Sequence, residues 1–282
     1  MEICTSVPEI RQAVAGFRAA GESVGLVTTM GALHEGHLTL MRTARADHDR
    51  VVATIFVNPT QFGEVADLAH YPSDDEADIA LLRAEGIDAL FLPRVETIYP
   101  PGDQTIVETT DLANRLHGKT RPGHFRGVAT VVARLFNICQ PDAAYFGEKD
   151  YQQLQVIRAM VRDLHFPIQI HGVPTVREAD GLAMSSRNVR LSPEDRAAAT
   201  VLSAALDAAE ARAGQGGATV ADLEAVIRTT IKAEPRATLR GLDITAADGL
   251  APVTGPVDRR LAIMLSAEFG SVLLIDQREI DP

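Results

Sequence analysis

His34 and His37 stand three residues apart in the stretch T-M-G-A-L-H-E-G-H (29–37), with Gly31 and Gly36 beside them. At the mouth of a strand-to-helix turn, two imidazole N–H donors can hydrogen-bond phosphoryl oxygens and stabilise charge as it builds in a transition state. The same pair can instead serve the structure, one ring capping the helix and the other packing. A zinc-protease reading fails on spacing: H-E-x-x-H needs the second histidine one residue later, and no obvious third ligand adjoins.

Four more stretches carry polar groups of useful type. In F-V-N-P-T-Q-F-G (56–63), Asn58 and Gln61 offer amide donors and acceptors that suit a small substrate's carboxylate or hydroxyl, although an Asn-Pro turn is common in its own right. In F-G-E-K-D-Y-Q-Q (146–153), Lys149 follows Gly147 and Glu148 at a helix start, where the helix dipole repels a cation unless an anion sits between them. There Asp150 suits a helix cap or a ribose ligand, Gln153 one turn on can face the same pocket, and a solvated turn is the plain alternative. In D-G-L-A-M-S-S-R-N (180–188), Ser185, Ser186 and Arg187 can wrap phosphate oxygens, the guanidinium as a fork. R-P-G-H-F-R-G (121–127) reads equally as an anion-facing loop or a charged surface turn.

The elements that position these stretches are those of an α/β protein. Apolar runs at 23–28, 51–57, 89–93, 143–146 and 168–170 alternate with helical patterns, the signature of βαβ units on a parallel sheet. The run Val51–Val57 is nearly continuous, as in a strand buried on both faces. Ser6 with Glu9, and Ser73 with Glu76, predict capped helix starts. Residues 123–139 and 154–164 read as amphipathic helices. Beyond Val176 the texture changes to a long alanine-rich helix over 192–213, a glycine linker at 214–217, a helix over 220–233 and short strands near Asp243, Ala262 and Val272. The expected division is a sheet domain over 1–175 and a smaller C-terminal α+β domain over 176–282.

Composition narrows the partners. The 282 residues carry 38 Asp and Glu against 27 Lys and Arg, a formal charge of −11, which argues against a nucleic-acid partner, since that draws on a broad basic surface. Any phosphate bound is therefore on a small molecule. No leader-like segment or membrane-length apolar run is present, so a cytoplasmic address and no membrane partner are expected. Cys4 and Cys139 lack metal or redox spacing.

In this order, T-M-G-A-L-H-E-G-H, F-V-N-P-T-Q-F-G, R-P-G-H-F-R-G-V, F-G-E-K-D-Y-Q-Q-L and D-G-L-A-M-S-S-R-N make a chain that resembles the pantoate–β-alanine ligase (pantothenate synthetase) family from end to end. The first and last resemble the H-I-G-H and K-M-S-K-S signatures of the wider nucleotidyltransferase superfamily, built on a Rossmann-like sheet. The resemblance implies adenylation of pantoate by ATP, then displacement of AMP by β-alanine. It implies that Met30, Gly31, Ala32, Leu33, His34, Glu35, Gly36 and His37 lie along ATP, with His37 the catalytic residue and His34 beside it. Gln61 and Gln153 would hold pantoate, with Gln61 later near β-alanine and Asn58 nearby. Gly147, Glu148, Lys149 and Asp150 would take nucleotide and phosphate, with Lys149 aiding catalysis. Val176 would meet adenine, and Met184, Ser185, Ser186 and Arg187 the phosphates. Mg²⁺ would accompany ATP without a dedicated protein metal site, and the enzyme would be a homodimer. Thr28 and Ala179 depart from prolines common in the family, which touches pocket shape and no reactive group. A different nucleotidyl-transferring member of the superfamily, or a silent nucleotide-binding protein on the same fold, are the competing readings.

Overall fold

The apolar runs form the middle of a six-stranded parallel sheet in the computed structural model of the chain, which describes residues 1–63, 68 and 71–282. The strands are β1 (Glu2–Cys4), β2 (Val24–Thr29), β3 (Arg50–Ile55), β4 (Ala89–Phe91), β5 (Ala143–Gly147) and β6 (Gln169–Val173), in the order β1-β4-β3-β2-β5-β6. Every neighbour is parallel: Thr29 pairs with Ile55 across β2 and β3, and Val27 with Tyr145 across β2 and β5. Helices α1 (Val7–Ala19), α2 (Glu35–Asp47), α3 (Asp75–Ala84), α4 (His124–Cys139) and α5 (Tyr151–Asp163) provide the crossovers.

Burial explains why β2 and β3 lack strict alternation. Leu26 and Val52 belong to one apolar cluster with Phe136 and Ile157, while Val27 and Ala53 belong to another with Met41 and Leu82. Both faces are covered, as parallel sheets require. Each of the larger side chains contributes roughly 1.5–3 kcal/mol on leaving water. Cys4 and Cys139 are buried free thiols. Burial pushes them up to about 11 and about 12, so both stay protonated and inert at neutral pH.

The structure corrects three local readings. A short edge strand, β1, precedes the first helix and pairs with β4, where no strand was expected. Glu9 does cap α1, taking the N–H groups of Thr5 (2.8 Å) and Ser6 (3.0 Å). At α3, however, the cap is Asp74, whose carboxylate takes the Ala77 N–H at 3.1 Å, and not Ser73. The helix expected over 192–213 is two, Pro193–Ala198 and Val201–Gly214, with the backbone between them tightened to three-residue bonds, Thr200 N–H on the Ala197 carbonyl at 3.4 Å and Leu202 N–H on that of Ala199 at 3.2 Å.

The chain divides into two compact units, Met1–Gly147 with Gln153–Val173, and Glu148–Gln152 with Pro174–Pro282. The segment Glu148–Gln152 groups with the second unit. Its Tyr151 hydroxyl lies 2.5 Å from Glu279 Oε1 and 3.1 Å from the Ala247 carbonyl. In the second unit, helices α6 (Val201–Gly214) and α7 (Val220–Lys232) pack on an antiparallel sheet of β7 (Ala237–Ala246), β8 (Leu261–Phe269) and β9 (Val272–Ile280). Leu206, Ile227, Ile263 and Leu265 fill that core. Among the described residues, no helix is long and apolar enough to cross a membrane.

Candidate active site

Strand order locates the ligand end of the first unit. With β1 set aside, the chain enters at β2, runs outward through β3 and β4, then lays β5 and β6 on the other side of β2. Order reverses between β2 and β5, and ligands of open α/β sheets gather outside the carboxyl ends of such a pair. The histidine stretch follows β2, F-V-N-P-T-Q follows β3, and Gly147 ends β5. Three of the stretches singled out by sequence thus begin at adjacent strand ends.

His34 and His37 form a helix cap with each other. His34 is the N-cap of α2, and its Nδ1 accepts the Gly36 N–H at 3.1 Å. His37 Nδ1 accepts the His34 N–H at 3.3 Å, and the two rings lie 4.1 Å apart between centroids. A nitrogen that accepts from an amide carries no proton, so each neutral ring bears its hydrogen on Nε2. The capping and phosphate-donor readings are therefore compatible: one ring nitrogen serves the helix and the other is an N–H donor at its positive end. The adjacent Glu35 carboxylate is balanced by Arg42, which also pairs with Glu85.

The turn before the cap is held from below. Gly31 and Ala32 have φ of +83° and +50°, a left-handed pair. Thr29 Oγ1 accepts the Gly31 N–H at 3.2 Å, and the Asp78 carboxylate accepts those of Ala32 and Leu33, both at 2.8 Å. Asp78 is buried on α3, and burial raises its carboxyl above the ordinary value while the two N–H donors pull the other way. Sequence reasoning missed it. The signal was legible: Asp78 lies one helical turn before the fully buried Leu82, an acid in an apolar stripe.

Gln61 is set by its neighbours. Its Oε1 accepts from Asn58 Nδ2 at 3.0 Å, and its Nε2 lies 2.9 Å from Met30 Sδ. Asn58 is 1% exposed and fully engaged: its Nδ2 also reaches the Gly127 carbonyl, and its Oδ1 accepts from Tyr99 at 2.8 Å and from Thr60. Arg134 covers the Tyr99 ring at 4.6 Å. R-P-G-H-F-R-G plays a part in this turn that neither of its expected roles included. Arg121 donates to His124 Nε2 at 3.2 Å, so His124 Nδ1 carries the proton and donates to the Gln61 carbonyl at 2.8 Å. A Cβ on Gly127 would lie 2.5 Å from the Thr60 carbonyl oxygen and 2.8 Å from Gln61 N, contacts that only glycine avoids. Gly127→Ala is expected to cost about 1–3 kcal/mol through overpacking. A chemical-denaturation midpoint equal to that of the parent would refute this close approach.

Gln153 is half-buried on the first turn of α5, after the strand adjacent to β2. In the second unit, Lys149 pairs with Asp150 at 3.2 Å with its side chain mostly covered. Val176 and Met184 face each other in a tight hairpin, with the Met184 N–H on the Val176 carbonyl at 2.9 Å and a bridge from Arg177 to Ala183. Ala179 follows the first residue of its turn, Glu178, whose carbonyl takes the Gly181 N–H, so it sits where proline is favoured. Ser185 Oγ accepts the Arg187 N–H at 3.2 Å, folding the S-S-R stretch into a compact turn. The hairpin is anchored by Arg177, whose two terminal nitrogens meet the Asp276 carboxylate at 2.7 and 2.9 Å.

Comparisons with known proteins agree along the whole length. A family model described as pantoate-beta-alanine ligase matches residues 2–279. The pantothenate synthetase of Agrobacterium fabrum is 51% identical over 280 residues, covering 99% of this chain and 96% of that protein. That of Bartonella henselae is 48% identical over 277 residues, covering 98% of each. The solved structure of pantothenate synthetase from Thermus thermophilus matches with a TM-score of 0.94 at 48% identity, over 100% of both chains. The pantoate-beta-alanine ligase from Francisella tularensis, solved in complex with beta-gamma ATP and beta-alanine, matches with a TM-score of 0.79 at 34% identity, covering 99% of this chain and 97% of that one. With a family model spanning residues 2–279 and full-length identity near one half, this chain belongs to the pantoate–β-alanine ligase family.

Proposed function

We propose that the protein joins pantoate to β-alanine at the expense of ATP, through a pantoyl adenylate. In the first step, a pantoate carboxylate oxygen bonds to the α-phosphorus as the bond to pyrophosphate breaks, and pyrophosphate leaves with the electron pair. In the second, the β-alanine amine attacks the acyl carbon, AMP leaves with the electron pair, and the nitrogen loses a proton. The carboxylate is a poor acyl donor until AMP makes its oxygen a leaving group.

The observation that carries this reading is the histidine pair, with both Nδ1 atoms accepting backbone N–H groups, which leaves the hydrogen of each neutral ring on Nε2. His37 and His34 donate to the phosphates as charge develops, which is the term with the greatest leverage on the barrier. Met30 to Gly36 line the nucleotide, and Gln61 and Gln153 hold pantoate by their amides. Asn58, with its amide spent on Gln61, Gly127 and Tyr99, acts through Gln61 and not on substrate. Gly147, Glu148, Lys149 and Asp150 serve nucleotide and phosphate, Lys149 as the cation. Val176 meets adenine, and Met184, Ser185, Ser186 and Arg187 meet the phosphates.

Mg²⁺ enters with ATP and offsets phosphate charge. The ion is expected to be carried on phosphate oxygens and water, as is usual for Mg²⁺. The reading includes a homodimer, implied by the family resemblance, and a cytoplasmic address, expected from the sequence. The test is exchange of labelled pyrophosphate into ATP. Exchange requires pantoate, and AMP is released only once β-alanine is added. Exchange indifferent to pantoate, or driven by another carboxylic acid, would overturn the assignment.

A further inference from the structure

We propose that Asp78 is a positioning residue for adenylation: its buried carboxylate holds the left-handed turn at Gly31 and Ala32 from which His34 and His37 are presented. The inference rests on the phosphate-donor role given to the histidines above. It starts from three successive N–H groups. Those of Gly31, Ala32 and Leu33 all turn inward, the first to Thr29 Oγ1 and the next two to the Asp78 oxygens. Thr29 in turn donates to the Thr54 carbonyl at 2.8 Å, so the near end of the turn is tied to β3.

Two consequences follow. A glycine-bearing turn after a β-strand normally offers its backbone N–H groups to phosphate. Here an internal carboxylate has taken that place, which makes the imidazole Nε2–H groups the donors the turn presents. Second, Ala32 is an alanine in left-handed backbone, at φ of +50°, a conformation unfavourable for an L-residue. Asp78 offsets that cost where it arises, by bonding the N–H of Ala32 itself. Leu33, the other N–H held, directly precedes the N-cap His34, so a loosened turn changes the entry to α2 and with it both Nδ1 contacts. The fit is close: a Cβ on Gly31 would stand 3.0 Å from Asp78 Oδ2.

Asp78→Asn separates shape from chemistry. The amide keeps the size but has one acceptor oxygen, so one of the two N–H groups meets an NH₂. The turnover of pantoate-dependent exchange is expected to fall about tenfold or more, with KM for ATP and pantoate little changed. Two-dimensional ¹⁵N–¹H spectra of the histidine rings should show His34 and His37 moving from a single Nε2–H tautomer to a mixture. The double variant Ala32→Gly with Asp78→Asn recovers a substantial part of the lost rate, because glycine adopts the left-handed turn without help. It also stands in if the single variant fails to fold. Unchanged turnover in Asp78→Asn, a lowered rate with both tautomers intact, or no recovery by Ala32→Gly would each overturn the proposal. Absence of pantoate-dependent exchange in the parent enzyme would instead sink the functional reading, and the tautomer spectra would still decide whether Asp78 sets the rings.

Discussion

Replacing His37 by alanine is expected to lower pantoate-dependent pyrophosphate exchange by about 10²–10³-fold, the usual cost of deleting a preorganised donor to developing charge. The ring has two jobs, and other substitutions divide them. Its Nδ1 accepts the His34 N–H at 3.3 Å, and Nε2 carries the donor hydrogen. Asparagine can keep an acceptor near Nδ1 but reaches no further, whereas glutamine can put an amide N–H near Nε2. His37→Asn should therefore be as slow as His37→Ala, and His37→Gln should recover part of the rate. Stability is expected to fall by no more than about 0.5–2 kcal/mol, the value of a lost cap. The check is exchange kinetics alongside denaturation of all three variants. A His37→Ala enzyme that exchanges at the parent rate would remove the electrostatic role, and asparagine outperforming glutamine would assign the rate to the cap.

Much of this site was legible in the sequence because its chemistry sits in contiguous motifs at strand ends. Periodicity and glycine spacing located the turn after β2, and unbroken apolar character identified β3 as a doubly buried strand. What stayed hidden acts across long sequence separations. Asp78 reaches Ala32 and Leu33 from 45 or more positions away, and a carboxylate near a helix start reads first as a first-turn acid. Gly127 and His124 looked like parts of a basic loop. Their function comes from the close approach of α4 to the turn at Thr60 and Gln61, a distance that no local pattern encodes. The edge strand β1 is only three residues long, below what alternation can signal, and its pairing with β4 fixes it. The break near Thr200 is a local tightening of the backbone to three-residue bonds inside a run whose composition favours helix throughout.

The second unit offers the largest expected effect on stability, at Asp276. Its side chain is 1% exposed, and Arg177, itself 20% exposed, binds it through both terminal nitrogens. Arg177 also donates to the Gly181 carbonyl at 3.0 Å, and Asp276 Oδ1 accepts the Gln277 N–H at 2.7 Å. The pair thus joins strand β9 to the hairpin that leads into Met184–Arg187. Removing one partner leaves a guanidinium in a covered site with no counter-charge, so Asp276→Ala is expected to cost about 3–5 kcal/mol. The nearby pair of Arg196 with Asp180 is a useful contrast. Its carboxylate is 49% exposed, and loss of such a pair typically costs about 1 kcal/mol or less. Replacing both members of the buried pair by apolar residues of similar size, Arg177→Met with Asp276→Leu, should recover most of the stability lost in Asp276→Ala, because the stranded charge is gone. The double variant need not recover exchange. If the bidentate contact also sets the course of the hairpin, an apolar pair restores the melting transition while leaving the S-S-R turn less defined and the reaction slow. Thermal denaturation and exchange rates measured on the same variants separate the two. Equal destabilisation by Asp276→Ala and Asp180→Ala would show that burial of this pair has no energetic weight.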